Sequence, residues 1–214
     1  MVGLGRFGQA LAMELMGLGT EVLGVDRDEA LVQKMSGVLT HAVCADSTDD
    51  EAMRQLGVDQ FERVVVGIGS NLECSILTCS VMRVLGVRNL WAKAVSEPHA
   101  RILRDIGCGH VVRPEHDTGR RVAHLIAGRM LDYIEFDDGY AIVKMRPPTC
   151  CHDMTLLEAN IRQRFGVTIV GVKRAGEDFT HAVADTVIHP QDLIIVSGQK
   201  SRVERFAELN APSD

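Results

Sequence analysis

Gly3-Leu4-Gly5-Arg6-Phe7-Gly8, with Asp26 eighteen residues beyond the last of those glycines, is the stretch from which the rest of the chain is read. Glycines at 3, 5 and 8 permit a tight turn and let a ligand diphosphate approach the backbone closely. The helix that follows, with Phe7, Leu11, Leu15 and Leu18 as its expected core stripe, opens with free N–H groups and a partial positive charge. Asp26 closes the next strand, where a carboxylate can accept hydrogen bonds from ribose hydroxyls. An acid there disfavours a 2′-phosphate, although Arg27 beside it leaves that point open. A glycine triplet alone is a weak signal; in strand–turn–helix context and with Asp26 it points to a nucleotide pocket rather than to a structural turn.

Working outward, strands and helices alternate through the first 130 residues. Strands are expected at 21–26, 41–44, 63–68, 90–94 and 110–112. Helices are expected from the cap at Asp28 to about 36, then over 49–56, 70–85, 98–106 and about 117–131. The third of these helices (70–85) carries Ile76, Leu77, Val81, Val84 and Leu85 on one stripe. Val122, Leu125, Ile126, Arg129 and Met130 share a face of the last. Such alternation implies an α/β fold, a Rossmann-like doubly wound parallel sheet with its ligand beyond the carboxyl ends of the strands. Only Met1 and Val2 precede Gly3, fewer than the about five residues of an ordinary strand. The first strand is therefore expected as a remnant, as in a chain shortened at its start.

Past residue 131 the pattern changes to a small α+β unit. Residues 133–136 and 140–145 read as a hairpin around Asp137-Asp138-Gly139. A short helix at 155–165, strands at 167–173, near 187 and at 192–197, and a helix from Lys200 follow. The expected division is 1–131 and 132–214, with no internal repeat or low-complexity segment.

The 214 residues are 46% hydrophobic and 24% charged, with a net charge of −6 and no block of Lys and Arg. That argues against a nucleic-acid partner, since no basic block is there to neutralise a phosphate backbone. No apolar run approaches the roughly 20 residues of a membrane span, and no leader pattern is present, so a cytoplasmic protein is expected. Six scattered cysteines resemble no disulfide framework. Cys150-Cys151-His152 lacks the ligand spacing of a zinc site and reads as free thiols in a loop.

No catalytic constellation is distinctive. Tyr140 and Lys144 match the Tyr-x-x-x-Lys of short-chain dehydrogenases, a pair that works when a helix stacks the two side chains. Here the segment alternates like a strand, which would separate them by about 13 Å, and no serine lies at the expected upstream distance. The pair is discarded.

Further marks are Val-Leu-Gly-Val-Asp at 22–26, Thr-His-Ala-Val at 40–43, Gly-Ile-Gly-Ser-Asn at 67–71, Trp-Ala-Lys-Ala at 91–94 and Arg-Pro-Glu-His-Asp-Thr-Gly at 113–119. With the opening turn, they make the chain resemble the KtrA/TrkA family, cytosolic regulators of bacterial potassium uptake built from RCK domains. The resemblance covers nearly the whole chain, and residues after 131 look like the RCK C-terminal (TrkA-C) domain. It implies a homodimer assembling into an octameric ring beneath a membrane potassium-translocating subunit of KtrB/TrkH type. The protein would then be peripheral to the cell membrane and not an enzyme. It also implies ATP and ADP as opposing ligands, with Arg6 reaching the terminal phosphates across the dimer. By the same resemblance the nucleotide site comprises Gly3, Gly5, Arg6, Phe7, Gly8, Asp26, Arg27, Asp46, Ser47, Ile68, Gly69, Asn71, Lys93 and Glu115. Glu115 is implied to hold Mg²⁺ or another divalent cation beside the γ-phosphate. From the residues alone, the competing readings are Arg6 as a solvated surface arginine, Asp46 as a cap for the helix at Asp49, and Glu115 as a helix N-terminal acid.

Leu156, Asn160, Ile161, Arg162 and Ile169 resemble the cyclic di-AMP pattern of KtrA-type C-terminal domains. A two-fold ligand suits a two-fold interface, with one arginine per phosphate. Against it, some binders have proline where Ala182 or Ala184 stands, and a capped helix packed on a strand explains the same residues. Two other readings of the whole stay open: an oxidoreductase using NAD or NADH on the same fold, and a nucleotide sensor for another cation transporter.

Overall fold

The computed structural model describes residues 1–136 and 138–209. Asp137, in the expected hairpin turn, lies outside the described residues. The chain divides into two compact units, Met1–Glu115 and His116–Asp214.

In the first unit β1 (Leu23–Asp26) pairs in parallel with β2 (His41–Cys44), and β3 (Val64–Val66), β4 (Leu90–Lys93) and β5 (His110–Val112) form a second parallel set in that order. The expected remnant strand joins the two sets. Val2 bridges Val25 on one side and Val66 on the other. Val2 N–H donates to the Val65 carbonyl and Val25 N–H to that of Met1, both at 2.8 Å, and Gly67 N–H donates to that of Val2 at 2.7 Å. Two residues thus occupy the centre of the sheet, and the chain turns into α1 (Arg6–Gly17) directly from it. Leu4 is fully buried just past the turn.

Short polar residues begin most of the helices that follow. Asp28 accepts from Ala30 and Leu31 N–H to start α2 (Glu29–Met35), and Asp49 caps α3 (Asp50–Gln55) likewise. Asn71 caps α4 (Leu72–Val84), and Ser96 caps α5 (Glu97–Ile106). Two expected stripes shift. In α1 the buried residues are Gly8 and Ala12, while Leu18, just past the helix, is 73% exposed. In α4 the buried side is Ser75, Thr78, Cys79 and Met82, and Val84 is 76% exposed. Because α4 lies against α3 and α5 as well as the sheet, close approach selects mostly small side chains and leaves Leu77 and Val84 outside.

The second unit opens within α6 (Pro114–Ile126), which begins and ends earlier than expected because Gly128, at φ +72°, terminates the turn beyond it. A five-stranded antiparallel sheet follows. Its strands are β6 (Asp132–Glu135), β7 (Tyr140–Met145), β9 (Val167–Lys173), β10 (Thr180–His181) and β12 (Leu193–Gln199), ordered β10-β9-β12-β7-β6. Two short strands, β8 (Met154–Thr155) and β11 (Val187–Ile188), pair beside it. The helix expected at 155–165 is two: Asn160, at φ 48°, separates α7 (Leu156–Ala159) from α8 (Ile161–Phe165). The last helix, α9 (Lys200–Glu208), inserts Val203, Phe206 and Ala207 into the core, with Phe206 edge-on to Phe165 at 5.2 Å. Tyr140 and Lys144 both lie on β7, so no helix stacks them. No helix among the described residues is long and apolar enough to cross a membrane.

Candidate functional site

In the first unit the carboxyl ends of β1 to β4 and the start of α1 enclose a cleft of about 650 Å³. Of the residues assigned to the nucleotide site from sequence, all except Gly8 line it. Gly8 lies beneath: a Cβ there would overlap the carbonyl oxygen of Gly3, so its role is close packing of helix on turn. Gly3 sits at φ +87° against Ile68, a conformation that excludes other residues. Gly5 differs. Its φ is −65° and a Cβ would meet nothing within 4 Å. Among the described residues nothing requires glycine at position 5, whereas a ligand resting on the helix terminus would.

That terminus is open. Gly5 is the N-cap of α1, no side chain caps the helix, and the first turn carries no acid. Four N–H groups at a helix start have no helical partner, and together they form an anion site. Arg6, exposed beside them, makes no hydrogen bond or ion pair with the described residues. Its positive charge reaches Glu115 only through space.

Asp26 does more than the sequence assigned to it. Its Oδ2 accepts from Leu4 N–H at 2.6 Å and its Oδ1 from Asp28 N–H at 2.9 Å. The carboxylate therefore clamps the glycine turn to the end of β1, while each oxygen retains a lone pair for a hydroxyl. Asp46 is not the cap of α3, which Asp49 supplies. It takes both the N–H and the hydroxyl of Thr48 on Oδ1, at 2.9 and 2.7 Å, and these bonds hold its carboxyl below the usual range. Ser47 is buried, 2.8 Å from the Thr78 hydroxyl. Asn71 uses its carbonyl to cap α4 through Cys74 N–H, at 2.9 Å, leaving its amide hydrogens for the cleft. Lys93 ends β4 nearly buried, 5.5 Å from the centroid of the Phe7 ring, with its Nζ 2.5 Å from Glu115 Oε1. That hydrogen bond lowers the carboxyl pKa of Glu115.

The sequence reading missed Gln9, Asp28, Leu31 and Cys74, which also line the cleft. Gln9 is the fourth residue of α1 and Cys74 the third of α4, both in the first turn of a helix whose start faces the cleft, so helical periodicity alone could have found them. For a divalent ion the protein offers Glu115 as one hard oxygen donor, and no group of three metal-ligating side chains occurs among the described residues. That donor set fits Mg²⁺ held mainly by phosphate and water, not a free-standing metal centre.

A second groove, about 310 Å³, lies in the other unit between α7, α8, β9 and the segment 182–184. Leu156, Asn160, Ile161, Arg162 and Ile169 all line it, with Ala182 and Ala184 on the opposite wall. The left-handed turn at Asn160 places Arg162 at the mouth, where its Nε lies 3.3 Å from Thr168 Oγ1.

Comparison with known proteins adds the following. A TrkA-N family model matches residues 1–114 and a TrkA-C family model matches residues 140–211. The "Ktr system potassium uptake protein C" of Bacillus subtilis is 37% identical over 207 residues, spanning 96% of this chain and 94% of its own. "Ktr system potassium uptake protein A" of the same organism is 33% identical over 96% of this chain and 93% of its own. Among solved structures, the "GsuK channel bound to NAD" superposes with a TM-score of 0.68 at 20% identity, covering 100% of this chain and 39% of that one. This last likeness shows the fold: a Rossmann-like RCK unit followed by a TrkA-C unit.

Proposed function

Because the chain belongs to the family of Ktr-system potassium uptake proteins, with a TrkA-N domain followed by a TrkA-C domain, we propose that it is a nucleotide-sensing regulatory subunit of a membrane potassium transporter. The observation that carries this is the bare helix start at Gly5, Arg6 and Phe7, where an uncrowded glycine, unpartnered N–H groups and an exposed arginine converge. In this reading the diphosphate of ATP or ADP rests on α1, the ribose meets Asp26, and Asp46 faces the adenosine. Lys93 and Arg6 reach the terminal phosphates, and Glu115 holds a divalent cation beside the third phosphate of ATP. The two nucleotides differ only at that phosphate. They move the protein between two arrangements only as far as the third phosphate binds one arrangement better than the other. Arg6 is suited to supply that difference because none of the described residues of its own chain holds it. Assembly as homodimers within an octameric ring, beneath a translocating subunit of KtrB/TrkH type on the cytoplasmic face, completes the proposal. The groove beside Arg162 forms half of a cyclic di-AMP site, the two-fold partner supplying the other half.

No acid–base pair suited to hydride transfer was identified in the sequence, which favours a sensor over an oxidoreductase. The test is a thermal-shift and calorimetric screen of the full chain with ATP, ADP, NAD, NADH and cyclic di-AMP, each with and without Mg²⁺. Stabilisation by both ATP and ADP, with Mg²⁺ strengthening ATP, is expected. Stabilisation by NADH alone would overturn the reading.

A further inference from the structure

We infer that Glu115 is a built-in competitor for Lys93, so that a ligand's terminal phosphate must take the lysine from it; the Lys93–Glu115 pair thereby sets which phosphate chain the cleft accepts. This rests on the nucleotide reading above and deepens it. The two members of the pair are unlike. The Lys93 side chain is 10% exposed and that of Glu115 is 68% exposed, with 2.5 Å between Nζ and Oε1. A nearly buried ammonium needs a counter-ion. The Phe7 face supplies part of that need at 5.5 Å and the carboxylate supplies the rest. Gly69 lies against the lysine and makes room for it: a Cβ there would stand 3.3 Å from both Cε and Nζ, tighter than ordinary contact. The carboxylate is far less enclosed. It sits in the first turn of α6, mostly in solvent, and Lys93 is its one described hydrogen-bond partner besides its own backbone.

A phosphate entering the cleft therefore meets a nearly buried cation already engaged by a largely exposed anion. Phosphate and carboxylate are both hard, negative oxygen acceptors. Either the carboxylate withdraws, or the two anions share the ammonium and repel each other. Removing the charge of Glu115 while keeping its shape should then favour the phosphate ligand, contrary to the usual result of substituting a residue that lines a binding site. The group that faces the pair from outside its own elements is Arg6, whose charge also acts on Glu115. Arg6 thus helps draw the carboxylate off the lysine.

The experiment is titration calorimetry of the full chain with ADP, and with adenosine as a phosphate-free control, in EDTA so that no divalent ion bridges the anions. Glu115→Gln should bind ADP roughly three- to tenfold tighter than wild type at low salt, and adenosine unchanged. Lys93→Met should weaken ADP more than adenosine, and Glu115→Gln added to Lys93→Met should give no further tightening, because nothing remains to compete for. Equal or weaker ADP binding by Glu115→Gln, with wild-type binding intact, would overturn the inference and leave the nucleotide site standing. Tightening that persists in the Lys93→Met background would overturn it too, since the carboxylate would then act by general repulsion. Wild-type protein that binds neither ADP nor ATP, with or without Mg²⁺, would remove the parent reading along with it.

Discussion

Replacing Gly5 by serine should make the protein more stable and nearly abolish nucleotide binding. At the N-cap of α1 the backbone is already in the extended region, φ −65° and ψ −173°, and a Cβ meets nothing within 4 Å. A serine there adopts the native conformation without strain, and its hydroxyl can accept from the N–H of Phe7 or Gly8. The cap contributes a few tenths of a kcal/mol over glycine, and restricting the unfolded chain contributes about 0.4–1 kcal/mol. Together these correspond to a rise in midpoint of about 2–5 °C for the unit that carries the cleft. The same hydroxyl occupies the donors that a diphosphate requires. Losing one charge-assisted hydrogen bond, at about 1.5–3 kcal/mol, weakens ADP by roughly 10- to 100-fold, and losing two weakens it by roughly 100-fold or more. Differential scanning calorimetry gives the first quantity and isothermal titration with ADP the second. A variant that binds ADP within threefold of wild type would show that the phosphates do not rest on α1, and the reasoning from Gly5 would fail.

Other expectations follow from single residues. Arg6→Ala should weaken ATP by about tenfold and ADP by much less, since the guanidinium is assigned to the third phosphate; equal losses in calorimetric titrations would remove it from that role. Glu135, on β6, accepts from Tyr133 Oη at 2.5 Å, from Arg120, and from Lys200 Nζ at 3.4 Å. Partial burial raises its pKa, but these three donors outweigh that and take it from 4.5 to about 2. A carboxyl depressed on folding stabilises above its unfolded pKa, and that share is lost as pH falls from about 4.5 toward 2. Screening by solvent reduces the contribution to about 1–2 kcal/mol. The gap in urea stability between wild type and Glu135→Gln should therefore close between pH 5 and about pH 2.5; a pH-independent gap would contradict the pairing. Phe206→Ala, which empties a fully buried site beside Phe165, should destabilise the second unit by about 3–5 kcal/mol in chemical denaturation.

How far the sequence could be read depended on the kind of force involved. The Rossmann-like half was legible because backbone rules leave few options: Gly3 needs positive φ, Gly8 must lack a Cβ, and Asp28 caps the helix it precedes. The family resemblance laid on those elements named 13 of the 21 residues that line the cleft. Helix faces were read less well. In α4 the largest apolar residues were expected inside, yet close packing against two helices and a sheet buries Ser75 and Thr78 and leaves Val84 in solvent. The single helix expected at 155–165 hid a break at Asn160, since an asparagine in a left-handed turn costs little and leaves no mark in the apolar pattern. The hydrogen bond from Leu4 N–H to Asp26, which closes the clamp, and the Lys93–Glu115 pair each depend on residues 22 positions apart meeting in space. Periodicity does not show such meetings.

The central claim is that one cleft converts the presence of a third phosphate into a different arrangement of subunits. Small-angle X-ray scattering of the assembled full chain, saturated in turn with ADP and with ATP plus Mg²⁺ and compared with Gly5→Ser, tests it most directly. Two distinct scattering profiles for the wild type, reduced to one indifferent profile in Gly5→Ser, are predicted. Superimposable profiles from a wild-type protein that binds both nucleotides would contradict it.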